Sequence, residues 1–151
     1  MSKDGFSYTS NKIDVSKKIT IVASKWNAEL VNELVESGRM HLESLGFTDL
    51  KIVYVPGAWE LVHAAQKELA HADGVIAYGV VIRGETTHYE LISESSAQGL
   101  MQVSIAANKP IGFGLIAAEN VSQAHERTNA SKLNKGKEIA QSLVEMLIDD
   151  V

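Results

Sequence analysis

Four short apolar runs alternate along the chain with longer segments in which apolar residues recur at helical spacing. The runs are rich in β-branched residues and cover residues 19–23, 51–55, 74–82 and 111–117. A continuous apolar run of this length is typical of a strand buried on both faces, as in a parallel sheet covered by helices. The alternation therefore predicts an α/β three-layer sandwich with a four-stranded parallel sheet and right-handed crossovers.

The helical segments have recognisable ends. Asn27 is the candidate N-cap of the first helix, Gly46 its end, and Asn120 the candidate N-cap of a short helix after the fourth strand. The predicted helices cover about residues 28–45, 58–72, 88–107, 121–128 and 135–148. Without a linker, repeat or low-complexity tract, residues 1–151 are expected to form a single domain with the flavodoxin-like strand order 2-1-3-4.

Composition removes several functional classes. The chain has no cysteine, which excludes disulfides, thiol nucleophiles, cysteine-ligated zinc and iron–sulfur clusters. A formal net charge of −5 argues against nucleic-acid or membrane-surface partners, because nothing supplies a basic field. The polar N-terminus and the absence of any apolar run near the roughly 18 residues of a membrane span predict a cytoplasmic protein.

Candidate chemistry gathers at the predicted carboxyl ends of the strands, where parallel sheets bind ligands. Trp26 and Trp59, the two tryptophans of the chain, follow the first and second strands, and His88 follows the third. A tryptophan at such a place often plugs the rim of the core. Together with the histidine, however, the pair suggests a pocket that stacks a flat ring.

The segment after the third strand carries a helix-start signal, Thr87-x-x-Glu90. In such a capping box the hydroxyl accepts from the N–H of Glu90 and the carboxylate accepts from the N–H of Thr87, so the helix is expected to begin at His88. Unpaired N–H groups and the helix dipole attract phosphate or carboxylate to this end. A proton-transfer site for an anionic substrate and a plain capped helix both remain open at this point.

Several motifs, in this order, resemble lumazine synthase, and the similarity extends over about residues 18–146. The motifs are Val55-Pro56-Gly57-Ala58-Trp59-Glu60, Val81-Ile82-Arg83-Gly84-Glu85-Thr86-Thr87-His88-Tyr89-Glu90, Phe113-Gly114, Glu119-Asn120, Gln123-Ala124, Glu126-Arg127 and Asn134-Lys135-Gly136. The resemblance implies condensation of 5-amino-6-(D-ribitylamino)uracil with 3,4-dihydroxy-2-butanone 4-phosphate in riboflavin biosynthesis. It also implies that the reaction needs neither a metal nor an organic cofactor.

The resemblance further implies roles for individual residues. His88 is the expected catalytic residue. The expected substrate-binding residues are Trp26, Ala58, Trp59, Glu60, Val80, Val81, Ile82 and, from a neighbouring subunit, Phe113. The expected phosphate-binding residues are Glu85, Thr86, Arg127 and Lys135. The chain departs from the family at Trp26, where phenylalanine is more usual, and in the loop of residues 128–133.

An oligomer is implied as well. The family forms rings of five subunits with active sites at the interfaces. Some members pack these rings into an icosahedral shell, and we expect both the ring and the shell here. Residues 1–17 are expected to form an extended segment that contacts a neighbouring subunit. Riboflavin synthase is a further expected partner.

Plainer interpretations compete with these roles. Arg127 suits the carboxyl end of a helix, Phe113 suits a core, and Lys135 with Glu138 suits an exposed ion pair. The other histidines, His41, His63, His71 and His125, are expected to be surface or packing residues. A flavodoxin-like flavin or electron-transfer module is disfavoured because residues 23–27 lack a phosphate loop rich in glycine and hydroxyls. A catalytically weak riboflavin-binding or shell-forming homologue remains an alternative.

Overall fold

The computed structural model describes residues 12–148, which form one parallel sheet between two layers of helices. The elements are β1 Ile19–Ser24, α1 Ala28–Leu45, β2 Leu50–Val55, α2 Ala58–Leu69, β3 Gly74–Ile82, α3 His88–Ala107, β4 Ile111–Ala118, α4 Val121–Thr128 and α5 Lys135–Met146. All strand pairs are parallel and the order is β2-β1-β3-β4. The predicted α/β sandwich and its strand order are confirmed. Most of the expected N-terminal extended segment, residues 1–11, lies outside the described residues.

Each face of the sheet has its own core. On one face, Ile21 and Tyr78 pack among α1 and α5 residues such as Leu34 and Leu143. On the other face, Val22 packs among α2 and α3 residues. Since successive strand residues point to opposite faces, every position of β1 is buried, which explains its uninterrupted apolar run. No helix within residues 12–148 is long and apolar enough to cross a membrane.

Tyr78 joins the sheet to the beginning of α5. Its side chain is fully buried, and its hydroxyl donates to the Gly136 carbonyl oxygen at 2.6 Å. Gly38 on α1 and Gly114 on β4 leave the space that the ring occupies. Burial raises the pKa of the Tyr78 phenol well above its usual range, so the hydroxyl remains a neutral donor.

The helix ends follow the sequence in part. Gly46, with φ 106°, ends α1 as predicted, and the Asn120 side chain caps α4 by accepting from the Gln123 N–H at 2.8 Å. Asn27 stands at the N-cap position with φ 60°, but the expectation that its side chain caps α1 was wrong. Its amide instead donates to the Val80 carbonyl at 2.8 Å, tying the end of β1 to that of β3.

The second helix is shorter than predicted. It ends at Leu69, whose carbonyl accepts from the Lys109 ammonium at 2.7 Å, and not near residue 72. The chain must then turn, because the Asp73 N–H donates to the Lys18 carbonyl at 2.8 Å to begin the pairing of β3 with β1. The need to enter the sheet therefore overrides the helical pattern of the last three residues.

Candidate active site

A cavity of about 460 Å³ opens at the carboxyl ends of β1, β2 and β3. This is an ordinary size for a small-molecule site, and it lies at the edge where parallel sheets bind ligands. The predicted site residues that line it are Trp26, Ala58, Trp59, Glu60, Val80, Val81, Ile82, Thr86 and His88. The structure therefore brings most of the sequence-predicted site together in one chain.

Both tryptophans flank this cavity with their rings open to solvent. Trp26 is 75% exposed and Trp59 is 61% exposed. Neither plugs the rim of the core in the described chain, which was the plainer interpretation of their position. Large exposed aromatic rings at a concave site are suited to stacking on a planar ligand.

Glu60 holds the loop before α2 in place. Its Oε2 accepts from the Gly57 N–H at 3.1 Å, which ties the first turn of α2 back to the turn that follows β2. Ala58, the first residue of α2, is buried, and the exposed Trp59 ring follows it in the same turn. A half-buried carboxylate with one oxygen engaged keeps further acceptor capacity for donor groups of a ligand.

Helix α3 begins at His88 as predicted, but the predicted capping box does not form. Within residues 12–148 the Thr87 side chain makes no cap hydrogen bond, and Glu90 pairs with Arg83 and does not reach back to Thr87. The Thr86 hydroxyl accepts from the His88 N–H at 3.3 Å. A guanidinium is a stronger partner for a carboxylate than a backbone N–H is. This explains why Glu90 pairs with Arg83 and does not complete the capping box. The helix end thus keeps N–H groups that suit an anion.

Arg83 lies immediately behind this helix start. Its Nε donates to Glu119 Oε2 at 2.8 Å, another guanidinium nitrogen donates to Glu90, and its charged carbon is 4.8 Å from the centre of the Tyr89 ring. Partial desolvation opposes the charge, but Glu119 and Glu90 outweigh it and raise the pKa of Arg83. Sequence reasoning did not single out Arg83, although its place directly after β3 is a usable signal.

Five further cavity residues were not predicted as site residues from the sequence. They are Asn27, Gly57, Gly84, Tyr89 and Ile92. Asn27 was interpreted from the sequence as a helix cap. Its backbone is left-handed, a conformation that asparagine tolerates better than most residues, and this tolerance is the signal that the sequence offered for a special role at this position. Tyr89 directly follows His88, so any assignment of that helix start to a site extends to it.

Four predicted residues stand apart from the cavity that residues 12–148 form. Glu85 is exposed in the loop between two lining residues, Gly84 and Thr86. Phe113 pairs with Ala77 and lies five residues before Ala118, the end of β4, so it is about 16 Å from that edge of the sheet. The other two residues that do not line the cavity are Arg127 on α4 and Lys135 on α5.

Arg127 and Lys135 are both engaged within the chain. An Arg127 guanidinium nitrogen donates to the Gln123 carbonyl at 3.0 Å. Lys135 is only 2% exposed, and its ammonium lies 2.9 Å from Glu138 Oε2. The expectation of an exposed ion pair was wrong because Gly136 packs its backbone against α1, where an added Cβ would lie 2.5 Å from the Leu34 carbonyl oxygen.

Two of the other histidines, His41 and His125, contact side chains on neighbouring helices. His41 Nε2 lies 2.6 Å from Gln141 Oε1, and His125 Nδ1 lies 3.5 Å from Glu33 Oε1. Both contacts join helices, which agrees with a packing role. The described part of the chain contains no group of three or more histidine, cysteine or carboxylate side chains arranged to hold a metal ion.

Comparison with known proteins identifies the family. Residues 16–148 match the family model described as 6,7-dimethyl-8-ribityllumazine synthase. Proteins of that name from Leuconostoc mesenteroides and Rhodopirellula baltica are 37% and 38% identical to the chain, covering 93% and 87% of it and 93% and 88% of their own lengths. One from Bdellovibrio bacteriovorus is 40% identical over 86% of the chain and 73% of its own length. The resemblance inferred from the motifs is thereby confirmed, and the chain belongs to the 6,7-dimethyl-8-ribityllumazine synthase family.

Proposed function

We propose that the chain condenses 5-amino-6-(D-ribitylamino)uracil with 3,4-dihydroxy-2-butanone 4-phosphate to form 6,7-dimethyl-8-ribityllumazine, releasing phosphate and water. The observation that carries the proposal is the cavity in which two exposed tryptophans face the uncapped start of α3 with His88. Family membership over nearly the whole chain supports the same reaction. The alternative of a catalytically weak riboflavin-binding homologue is not favoured by relatives that are all named as synthases.

His88 is proposed to move the protons of this reaction. The amine attacks the ketone and the imine forms with loss of one water, after which phosphate leaves by elimination. The ribitylamino nitrogen then closes the ring with loss of a second water. Each step adds or removes a proton, and an exposed imidazole beside the reacting atoms can serve repeatedly as acid and base.

The heterocyclic substrate is proposed to lie against the tryptophan side of the cavity. Trp26 supplies a stacking face, while Ala58, Trp59 and Glu60 line the ring and the ribityl chain. Residues 80–82 offer backbone groups at the end of β3. A carboxylate such as Glu60 suits a polyol because it can accept several hydroxyl hydrogen bonds.

The phosphate is proposed to bind at the beginning of α3. Glu85 and Thr86 contribute there through backbone N–H groups, in the exposed loop that leads into the helix. Arg127 is the proposed side-chain partner, since a planar guanidinium matches a phosphate dianion. Lys135 is already paired with Glu138, so the charge it brings to a phosphate is that of a compensated ion pair.

Arg127, Lys135 and Phe113 are proposed to reach the cavity from a neighbouring subunit. Helix α3 exposes Met101 and Ile105, which line one shallow surface depression together with the exposed Phe113. A contiguous apolar surface of this kind typically marks a protein–protein contact. We propose the ring of five subunits known for the family, and a shell of such rings with riboflavin synthase as an associated enzyme.

A cytoplasmic location is proposed too, since a chain without cysteine gains nothing from an oxidising compartment.

Mixing the purified, assembled protein with both substrates and following lumazine fluorescence tests the proposal. Product formation faster than the spontaneous reaction is expected. A rate equal to the spontaneous one would refute the enzyme assignment. Tight riboflavin binding by the same inactive sample would then support the alternative homologue.

A further inference from the structure

We propose that Arg83 is a positioning residue that fixes His88 and Tyr89 in the cavity by clamping the first turn of α3 to the end of β4. Arg83, Glu90, Glu119 and Tyr89 are called the Arg83 clamp below. The inference rests on the proposed role of His88. It adds a residue outside the cavity through which the geometry of that histidine is set.

The clamp is needed because the segment before His88 has little support of its own. The Arg83 N–H donates to the Ala118 carbonyl at 2.9 Å, which is the last backbone bond between β3 and the β4 edge before the helix. Residues 84–87 then cross to α3 as exposed loop. A Cβ added at Gly84 would meet no other described atom within 4 Å, so the loop is not held by packing at that point.

The Arg83 side chain supplies the missing support. One guanidinium reaches Glu90 in the first turn of α3 and Glu119 just past β4, and its central carbon lies over the Tyr89 ring. A rigid guanidinium with several fixed donors can hold two carboxylates and one ring at set angles, which a flexible ammonium cannot do. Since His88 and Tyr89 precede Glu90 in the same turn, fixing Glu90 fixes both.

Glu90 is held by the clamp and not by the N-terminus of its own helix. Its Oε2 is shielded from solvent and has no hydrogen-bond partner within residues 12–148, so the carboxylate depends on Arg83 for charge compensation. The same carboxylate was predicted to cap Thr87. By drawing it away, Arg83 ties the first turn of α3 to the end of β4 and not to the residue that precedes the helix.

A direct role for Arg83 in binding phosphate fits the structure less well. Arg83 is not among the residues of the described chain that line the cavity. Its guanidinium faces two carboxylates, which leaves the group as a whole with net negative charge. Such a group positions its neighbours but offers little attraction to an anion.

Steady-state kinetics of Arg83→Met test the inference, with Arg39→Met as the matched control. Arg39 also bridges two carboxylates, Glu36 and Glu43, but on α1 away from the cavity. Arg83→Met should lower kcat about tenfold with both Michaelis constants nearly unchanged, since a displaced general acid–base group loses rate before binding. Arg39→Met should match the parent. A selective rise of KM for the phosphate substrate would overturn the inference in favour of direct contact.

A double-mutant cycle with His88→Ala separates the clamp from the proposed role of the histidine. If Arg83 acts through His88, Arg83→Met should cause no further loss of kcat in the His88→Ala background. Losses that multiply would overturn the clamp alone and leave the role of His88 standing. An undiminished rate of His88→Ala by itself would instead refute the histidine assignment, and the inference with it.

A milder variant guards against a failure to fold or assemble. Glu119→Gln removes one ionic tie while it leaves the Arg83–Glu90 pair and the Tyr89 contact in place. We expect kcat to fall about two- to threefold, again with no further loss in the His88→Ala background. An unchanged kcat in an assembled Glu119→Gln protein would overturn the clamp as a three-point support.

Discussion

The proposed split of the active site predicts that two impaired variants restore each other within one oligomer. His88 lines the cavity at the start of α3, whereas Arg127 lies on α4 and is not part of that cavity in the described chain. In the proposed head-to-tail ring, each site would take His88 from one chain and Arg127 from its neighbour. Co-assembly of His88→Ala with Arg127→Ala chains should therefore create sites that hold both native residues.

The expected recovery follows from the geometry of the ring. In rings assembled at random from equal amounts of the two chains, about one quarter of the sites combine an intact His88 with an intact Arg127. Each variant alone should keep about 1–10% of the activity at limiting phosphate substrate, the usual loss when a proton-transfer group or a phosphate partner is removed. Mixing should thus raise activity to about a quarter of the parent value.

The assay refolds the two differently tagged variants together, verifies mixed rings by native mass spectrometry and measures lumazine fluorescence. The matched control combines His88→Ala with Trp59→Ala, because both side chains line the same cavity and every mixed site then lacks one of them. No recovery in the first mixture, although mixed rings are present, would refute the split site. Equal recovery in the control would refute it as well.

Three further predictions concern single residues. His88→Ala should lower turnover about 10–100-fold, and a turnover equal to that of the parent would contradict proton transfer by this residue. Arg127→Ala should raise KM for the phosphate substrate without a matching rise for the pyrimidine substrate; equal rises would indicate a structural role instead. Tyr78→Phe should lower the free energy of unfolding by about 1–3 kcal/mol in urea titrations, because the buried Gly136 carbonyl loses its donor. Since the folded pKa of Tyr78 is raised, the parent should hold its stability below the unfolded pKa of about 10 and lose it as pH rises above that value. Tyr78→Phe should lack the part of this alkaline loss that Tyr78 contributes, and an identical pH dependence in the two proteins would exclude Tyr78 as its source.

Helix caps that join residues within one turn were predicted correctly where no residue distant in sequence competed for the capping group. The Asn120 cap formed as predicted because its acceptor and the Gln123 N–H are three residues apart and exposed. The Thr87–Glu90 signal has the same spacing and failed. Its carboxylate is taken by Arg83, which is itself held by Glu119, a residue that only the pairing of β3 with β4 brings near.

The burial of Lys135 was also beyond the reach of local patterns. Its side chain is covered because α5 approaches α1 so closely that Gly136 touches the backbone of Leu34. Such an approach depends on the packing of two elements about a hundred residues apart. The cavity itself was largely predictable, since the ends of parallel strands share one edge whatever the details of the helices.

Gly38 and Gly114 leave the space that the Tyr78 ring fills, and this limits the substitutions that the three positions can accept. A methyl group at Gly38 would collide with Tyr78, because its three nearest atoms would be the hydroxyl oxygen and two ring carbons of that side chain. A methyl group at Gly114 would also lie 2.8 Å from the Ala77 carbonyl oxygen, which no side-chain replacement can remove. Among natural relatives, alanine at position 38 is therefore expected to co-occur with a smaller residue at position 78, whereas position 114 is expected to stay glycine in every such background.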